Sequence, residues 1–324
     1  MVDAADLAFV NAWQRGFPLR HRPFKEIGRM TSLSELAVLD KFARLKSVGV
    51  IDRVGPVFRP NTVGASMLAA MAVAPERLDE VAAQVSAQPG VNHNYERENA
   101  LNLWFVVTGP DAATVQRRIS RLEQAAGLPV VQLPLLEEFH IDLGFDLQTG
   151  EAPRAAPKAS SPASAPRAPL TVTEKRLVER LSKGFALAAE PYAALAAEAE
   201  VSEDEILFVL RRMLADGRIR RIGAVVRHRR LGYDANAMVV WDIPDVQAGA
   251  AGRRLAEERA VTLCYRRARA RSWPYNVYCM LHGRSREAVL PDIDRITASC
   301  GLGSFPRAIL FSRRCFSQKA ASYA

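Results

Sequence analysis

Apolar positions along the chain change period several times, and the changes come in the same order twice. In VTEKRLVERLSKGF (172–185), Val172, Leu177 and Leu181 recur at helical spacing. Ser202-Glu203 has the form of a helix cap with an acidic first turn, and Gly217 has the form of a helix end, as Gly49 does earlier. The pattern then shortens to VIDRVGPVF (50–58) and RIRRIGAVV (218–226), each read as a short strand pair. ASMLAAMAVA (65–74) and NAMVVWDIP (236–244) read as strands, PERLDEVAAQVSAQPG (75–90) and VQAGAAGRRLAEERA (246–260) as helices. Two further strands follow in each case. Then come DAATVQRRISRLEQAAG (111–127) and SREAVLPDIDRITASCG (285–301) as second helices, each trailed by a last strand.

The first group of elements is a helix–turn–helix followed by a small β wing, and the second has the βαββαβ order of a ferredoxin-like domain. The expected fold is α+β, a tandem duplication of that pair. Residue identities support the duplication. Shifting by 168 positions lays residues 34–64 over 202–232 without a gap, with 11 identities in 31 positions, where ordinary residue frequencies give about two. Gly16-Phe17 falls over Gly184-Phe185. Tyr95 falls over Tyr265 at an offset of 170, and Asn102-Leu103-Trp104-Phe105 over Asn276-Val277-Tyr278-Cys279 at 174, which puts a four-residue insertion near Arg271–Pro274. A period this long means whole-domain duplication and not a solenoid. Between the copies, EAPRAAPKASSPASAPRAPL (151–170) has almost nothing to bury and reads as a semi-extended linker. The expected domains are a winged helix at 1–62, a ferredoxin-like domain at 63–147, a Pro/Ala-rich linker at 148–170, a second winged helix at 171–231 and a second ferredoxin-like domain at 232–324.

Composition narrows the class. Of 324 residues, 49% are hydrophobic and 24% charged, which suits a globular chain and not a disordered or fibrous one. No apolar run approaches the ~18 residues of a membrane helix, and the N-terminus lacks the basic start and apolar run of a secretory signal. The expected location is therefore the cytoplasm, with no membrane partner. There the four cysteines (264, 279, 300, 315) are reduced thiols, and their spacing matches no zinc pattern. Charge is uneven. Residues 1–147 hold 15 Lys+Arg against 17 Asp+Glu, residues 148–170 hold 3 against 1, and residues 171–324 hold 26 against 17. The basic surplus of the last part attracts something anionic: nucleic acid, an acidic surface or a polyanionic small molecule.

A winged helix joined to a βαββαβ domain resembles the Lrp/AsnC transcription regulators, which implies a DNA-binding regulator with a small-molecule effector. The tip of the second recognition helix argues the other way, because Ser202-Glu203-Asp204-Glu205 places three acids where phosphates would approach. Arg211, Arg212, Arg218, Arg220 and Arg221 still leave backbone contacts open. Longer strings point elsewhere. GVNHNYERENALNLWFVVTG (90–109), VTLCYRRARARSWPYNVYCMLHG (261–283) and IGAVVRHRRLGYDANAMVVWDIPD (222–245) resemble the siroheme decarboxylases of heme d1 and alternative heme synthesis, from about Asp6 to Ser317. The resemblance is to a fusion of the D-like and L-like subunits of that family, which share the Lrp/AsnC-like fold. It implies loss of carbon dioxide from the acetates on C12 and C18 of siroheme, giving 12,18-didecarboxysiroheme. It implies no separate organic cofactor, the iron belonging to the substrate. It also implies siroheme or a related iron tetrapyrrole as the partner rather than DNA, and it leaves room for a homodimer or related decarboxylase subunits. Asn99 stands where family members often carry a histidine. A tetrapyrrole carrier without catalysis is the third reading.

A ring of substrate carboxylates calls for cationic donors, and arginine offers bidentate geometry. Arg267, Arg269 and Arg271, with Arg227 beside His228, are the expected anchors. Protonating the carbon that loses carbon dioxide calls for a general acid, for which histidine is the first choice. His93 leads, because strand periodicity puts His93, Tyr95 and Arg97 on one face. The second copy keeps Tyr265 and Arg267 but has Leu263 in place of His93. His228 is the second candidate and Pro60 its counterpart; His282, whose counterpart is Thr108, is expected to contact substrate. Each histidine also fits a structural or solvated role. Either His93 or His228 can reach the substrate iron axially, and no metal is expected to be held by the protein alone.

Overall fold

The computed structural model describes residues 2–141, 144, 146–147 and 168–323. Positions 148–167 of the expected linker lie outside the described residues. The chain divides into two compact units. One is helical and contains residues up to Val63, the stretch to Leu231 and Tyr323; the other contains the sheet, from Gly64 and from Gly232 to Ser322.

In the helical unit, α1 (Ala4–Trp13), α2 (Pro23–Thr31) and α3 (Glu35–Ser47) lead into β1 (Ile51–Phe58). Their counterparts are α6 (Val172–Ser182), α7 (Ala193–Ala199), α8 (Glu203–Ala215) and β7 (Ile219–Val226). Ser34 and Ser202 cap α3 and α8 as expected, and Glu205 completes a capping box with Ser202. The expected wings differ from the structure in one respect. Each stretch read as a strand pair is a single strand, and β1 and β7 pair antiparallel with each other, Gly55 opposite Gly223. The two copies therefore share one ribbon. The repeated Gly-Phe dipeptides explain how they meet. Phe17 N–H donates to Ile222 O (3.2 Å), and Phe185 N–H donates to Val54 O (2.6 Å), so each turn docks on the other copy's strand. A Cβ at Gly55 would lie 2.8 Å from Gly184 Cα, closer than a side chain tolerates. Each copy also buries an acid under its recognition helix, Asp6 against Lys41 and Arg44, and Glu174 against Arg212.

The sheet unit begins with β2 (Ala65–Met71), α4 (Leu78–Ala87), β3 (Val91–Arg97), β4 (Leu103–Gly109), α5 (Ala112–Ala126), β5 (Val131–Leu133) and β6 (Leu135–Ile141). It continues with β8 (Ala235–Trp241), α9 (Asp245–Glu257), β9 (Val261–Arg267), β10 (Val277–Gly283), α10 (Arg286–Ser299) and β11 (Arg307–Gln318). All nine strands form one sheet in the order β5-β2-β4-β3-β11-β8-β10-β9-β6. Within each half the order is fourth, first, third, second strand. The halves then exchange chain: the last part of β11 pairs with β3, and β6 pairs with β9. Because β5 and β6, at opposite ends of that order, are joined by Pro134 alone, the sheet curls until its edges meet.

Strand alternation gives the closed sheet two faces. The outer face packs under helices in two cores, one around Phe105, Val81 and Ile119, the other around Trp241, Leu255 and Ile293. The inner faces of both halves pack on each other through Ala70, Trp104, Leu133, Met238, Tyr265, Trp273, Tyr278 and Leu310. Trp104 of the first half meets Trp273 of the second edge-on at 5.1 Å. The crossing of β6 is secured by Phe139, whose ring lies where a Cβ at Gly252 of α9 would be.

Candidate functional site

The inner face of the first half carries the leading candidates. Tyr95 is opposite the buried Trp104, and His93, two residues earlier, shares its face opposite Val106. Tyr95 Oη lies 3.4 Å from His93 Nδ1, and the two rings stack with centroids 6.0 Å apart. Arg97 continues the row with its guanidinium 5.7 Å from the Tyr95 ring centroid. It is buried and donates to Leu310 O at 3.1 Å. The periodicity argument thus brings all three together as expected.

The second half repeats the row in part. The buried Tyr265 stacks on Tyr278 at 5.5 Å, and the Arg267 guanidinium lies 4.6 Å from the Tyr265 centroid. Arg267 donates to Leu133 O at 2.7 Å, and burial pulls its pKa below the ordinary arginine value. Leu133 belongs to the first half and Leu310 to the second. Each arginine therefore reaches across to the opposite half's fourth strand.

His282 ends the inner-facing row Tyr278, Met280, His282 of β10. Both ring nitrogens have side-chain partners. Nε2 is 2.8 Å from Asn236 Nδ2, and Nδ1 is 2.9 Å from Thr262 Oγ1. Neither Asn236 nor Thr262 was a candidate, because a polar residue on a strand reads as solvent-facing until its register is known. In the first half the matching positions are Ser66, Asn92 and Thr108, and the Thr108 hydroxyl is within reach of the Gly90 and Ser322 carbonyls at 2.9 and 2.8 Å.

The remaining candidates are placed differently. Arg269 is committed to the fold: it bonds Asp242 and Asp245 at 2.8 Å each and also the carbonyls of Ile243 and Pro274. Arg271, in the loop before β10, is exposed. Arg227 and His228 belong to the helical unit. Arg227 pairs with Asp52 at 2.6 Å, and His228 opens a short 3-10 turn, His228–Leu231, half-buried. Among the described residues no group of three or more His, Cys, Asp or Glu side chains is arranged to hold a metal ion. No described helix is long and apolar enough to cross a membrane.

Chemically, the sheet's inner face offers an imidazole beside a phenol in one half, a fully hydrogen-bonded imidazole in the other, and a guanidinium behind a tyrosine in both, buried in the first half and half-buried in the second. A family model described as the AsnC-like ligand binding domain matches residues 63–140 and 230–317, and one described as the siroheme decarboxylase NirDL-like HTH domain matches 6–51 and 174–220. The chain is 42% identical over 325 residues to the siroheme decarboxylase NirDL subunit of Paracoccus denitrificans (strain Pd 1222), covering all of this chain and 98% of that one. It is 32% identical over 313 residues to the siroheme decarboxylase of Hydrogenobacter thermophilus, covering 96% and 92%. It is also similar to the crystal structure of the siroheme decarboxylase NirDL in co-complex with an iron-uroporphyrin III analogue. The TM-score there is 0.71 and the identity 27%, over 98% of this chain and 93% of that one.

Proposed function

The chain belongs to the siroheme decarboxylase family and is a decarboxylating enzyme, and from that premise we propose that it converts siroheme into 12,18-didecarboxysiroheme in heme d1 biosynthesis. Each of the acetates on C12 and C18 loses carbon dioxide. The carbon–carbon bond breaks, its electron pair stays with the methylene carbon, and a proton completes a methyl group. No electrons are gained or lost overall, so the step needs no oxidant and no separate organic cofactor. The iron arrives with the substrate.

His93 is proposed as the proton donor, with the Tyr95 hydroxyl orienting its ring. What supports this assignment is one observation: on the inner face the Tyr95 hydroxyl lies 3.4 Å from His93 Nδ1. Arg97 and Arg267 are proposed to supply positive charge beneath Tyr95 and Tyr265, and the exposed Arg271 to meet a substrate carboxylate. The walls that keep water from the departing carboxylate are Trp104, Trp273 and Tyr278. His228, with Arg227 beside it, is the second candidate donor. DNA is not a proposed partner, because the first turn of α8 carries Glu203, Asp204 and Glu205 with His21 against the first two.

The test is anaerobic incubation of the purified protein with siroheme and mass spectrometry of the tetrapyrrole. Loss of one and then two molecules of carbon dioxide is the expected result. His93→Ala is expected to slow that loss by about 10²–10⁴-fold, the usual worth of a general acid, and His228→Ala much less. Full activity in both variants would end the assignment of either histidine as the acid. Binding of siroheme without any mass change would make the protein a carrier.

A further inference from the structure

The second half of the sheet unit holds a histidine by side chains that the first half lacks. His282 of β10 is directly opposite Asn236 of β8, and in the first half the same pairing is Thr108 opposite Ser66. Thr262 occupies a bulge in β9, where the pairing shifts between Met280 and Leu281. The bulge brings its hydroxyl to His282 Nδ1 (2.9 Å) and to Met280 O (3.0 Å).

The directions of these bonds decide the state of the ring. A hydroxyl has one proton, and a carbonyl oxygen only accepts. With the Thr262 proton on Met280 O, Oγ1 accepts from His282, so Nδ1 carries hydrogen. On the other side the Asn236 amide turns Nδ2 towards Nε2 at 2.8 Å, which makes Nε2 the acceptor. The two contacts are independent and agree. The amide's orientation leaves Asn236 Oδ1 buried without a hydrogen-bond partner among the described residues. A buried acceptor without a donor is costly, so a donor arriving on the inner face has a place to bind beside the imidazole.

We infer that Asn236 and Thr262 are positioning residues that hold His282 as the neutral, Nδ1-protonated imidazole, its Nε2 lone pair taken by the Asn236 amide, so that the Asn236 carbonyl is the acceptor left to meet substrate. The hydrogen bonds stand on their own; only the presentation to substrate rests on the decarboxylase reading. The state of the other ring nitrogen is set by the bond that the first one makes, which is the means by which a neighbouring hydroxyl selects what an imidazole offers. Thr262 thus acts through His282 and has no need to touch the tetrapyrrole.

The experiment uses the full chain labelled with nitrogen-15 at its five histidines, first without siroheme at neutral pH, with His282→Gln assigning the resonance. Two-bond nitrogen–proton spectra are expected to show His282 with a protonated Nδ1 and an unprotonated Nε2. Thr262→Ser is expected to keep that pattern and Thr262→Val to move the proton to Nε2. A His282 that is Nε2-protonated in the unaltered chain, or a pattern unmoved by Thr262→Val, would overturn the placement. With siroheme added, Thr262→Val is expected to lower kcat about tenfold with little change in KM, and Thr262→Ser to restore it. A tautomer that switches while kcat holds would overturn the positioning role. If the unaltered chain binds siroheme but releases no carbon dioxide, it is the decarboxylase reading that fails, and the labelling result still decides the state of His282.

Discussion

At the same end of the inner face, the first half carries His93 and Thr108 where the second carries Leu263 and His282. Beside them Tyr95 and Arg97 are matched by Tyr265 and Arg267. The residues that repeat join the two halves, since each arginine donates to the opposite half's fourth strand, Arg97 to Leu310 and Arg267 to Leu133. An interface between two like halves asks the same of both, so duplication preserves it. The histidines make no such joint. Each half keeps one of this pair, His93 on β3 and His282 on β10, and their partners differ, a phenol in one and an amide and hydroxyl in the other. What repeats is the connection between the halves, and what differs is where two unequal chemistries are to be sought.

The largest effect should come from erasing that difference. His93→Leu makes the first half like the second at this position. It is expected to lower siroheme decarboxylation about 10²–10⁴-fold while leaving the unfolding midpoint nearly unchanged, since the partly exposed ring is not a core residue. Adding Leu263→His to that variant is expected not to rescue it, because Asn236 and Thr262 surround His282 rather than position 263. Rescue in single-turnover mass spectrometry would mean that the two pockets are interchangeable, and the comparison would fail.

A second effect concerns the exchanged strands. Phe139 of β6 crosses to the second half and lies on Gly252, whereas its counterpart Phe316 of β11 packs on the first half's core, whose α4 carries Ala82 at the position matching Gly252. Gly252→Ala is therefore expected to overpack one crossing and cost up to about 3 kcal/mol, read by urea unfolding. Ala82→Gly should cost about 1 kcal/mol for helix propensity alone. Equal costs would mean that the crossings are held in the same way.

Much of this was legible in the sequence. The duplication, the order of elements and the row His93, Tyr95, Arg97 follow from identities and period. The exchange of β6 and β11 was not, because an alternating apolar strand fits either half's edge equally well, and the contacts that distinguish them, such as Phe139 on Gly252 and Arg314 with Glu96 and Asp79, join residues far apart in the chain. Nor was the shared ribbon, since VIDRVGPVF and RIRRIGAVV each contain enough apolar residues for a strand without saying which strand pairs with it. The arginine run at 266–271 read as a receptor for carboxylates, yet Arg269 is bound to Asp242 and Asp245, residues more than twenty positions away that no local pattern associates with it.

The helical unit allows a smaller test. Burial raises the pKa of Asp6, but the hydrogen bonds of Arg44 and Lys41 outweigh it and bring the group to about 2 from 3.8. The lowered value means stability that is present above pH 3.8 and lost as pH falls through about 2. Asp6→Asn is expected to cost about 2 kcal/mol at neutral pH and almost nothing near pH 2. Glu174→Gln, which removes the matching bond to Arg212, should behave alike if the two winged helices are equivalent in this respect. A neutral-pH cost for only one of them would extend the inequality of the halves to the helical unit.

The smallest effect is expected at His21, where that unit is already unequal. Its ring lies 2.7 Å from Glu203 and 3.1 Å from Asp204 at the start of α8, while the matching residue in the second copy is Ala189. The Glu203 hydrogen bond is the largest influence and raises the imidazole pKa above 6.5. A raised value means that the contact contributes fully below pH 6.5 and fades as pH climbs through the folded-state value. Because the pair is exposed and screened, the contribution is small, so the sensitive reading is local. Hydrogen exchange in the first turn of α8 should quicken between acid and alkaline conditions beyond its intrinsic pH dependence. His21→Ala should remove that excess, and added salt should weaken it. The first turn of α3, whose Glu35 pairs with Arg22, should show no such excess, since arginine keeps its charge across that range. An equal excess at both helices would assign it to the unit as a whole and not to His21. A difference confined to α8 would mean that the copies diverged on this surface as well, where a regulator's recognition helices would have to remain alike to read matched half-sites.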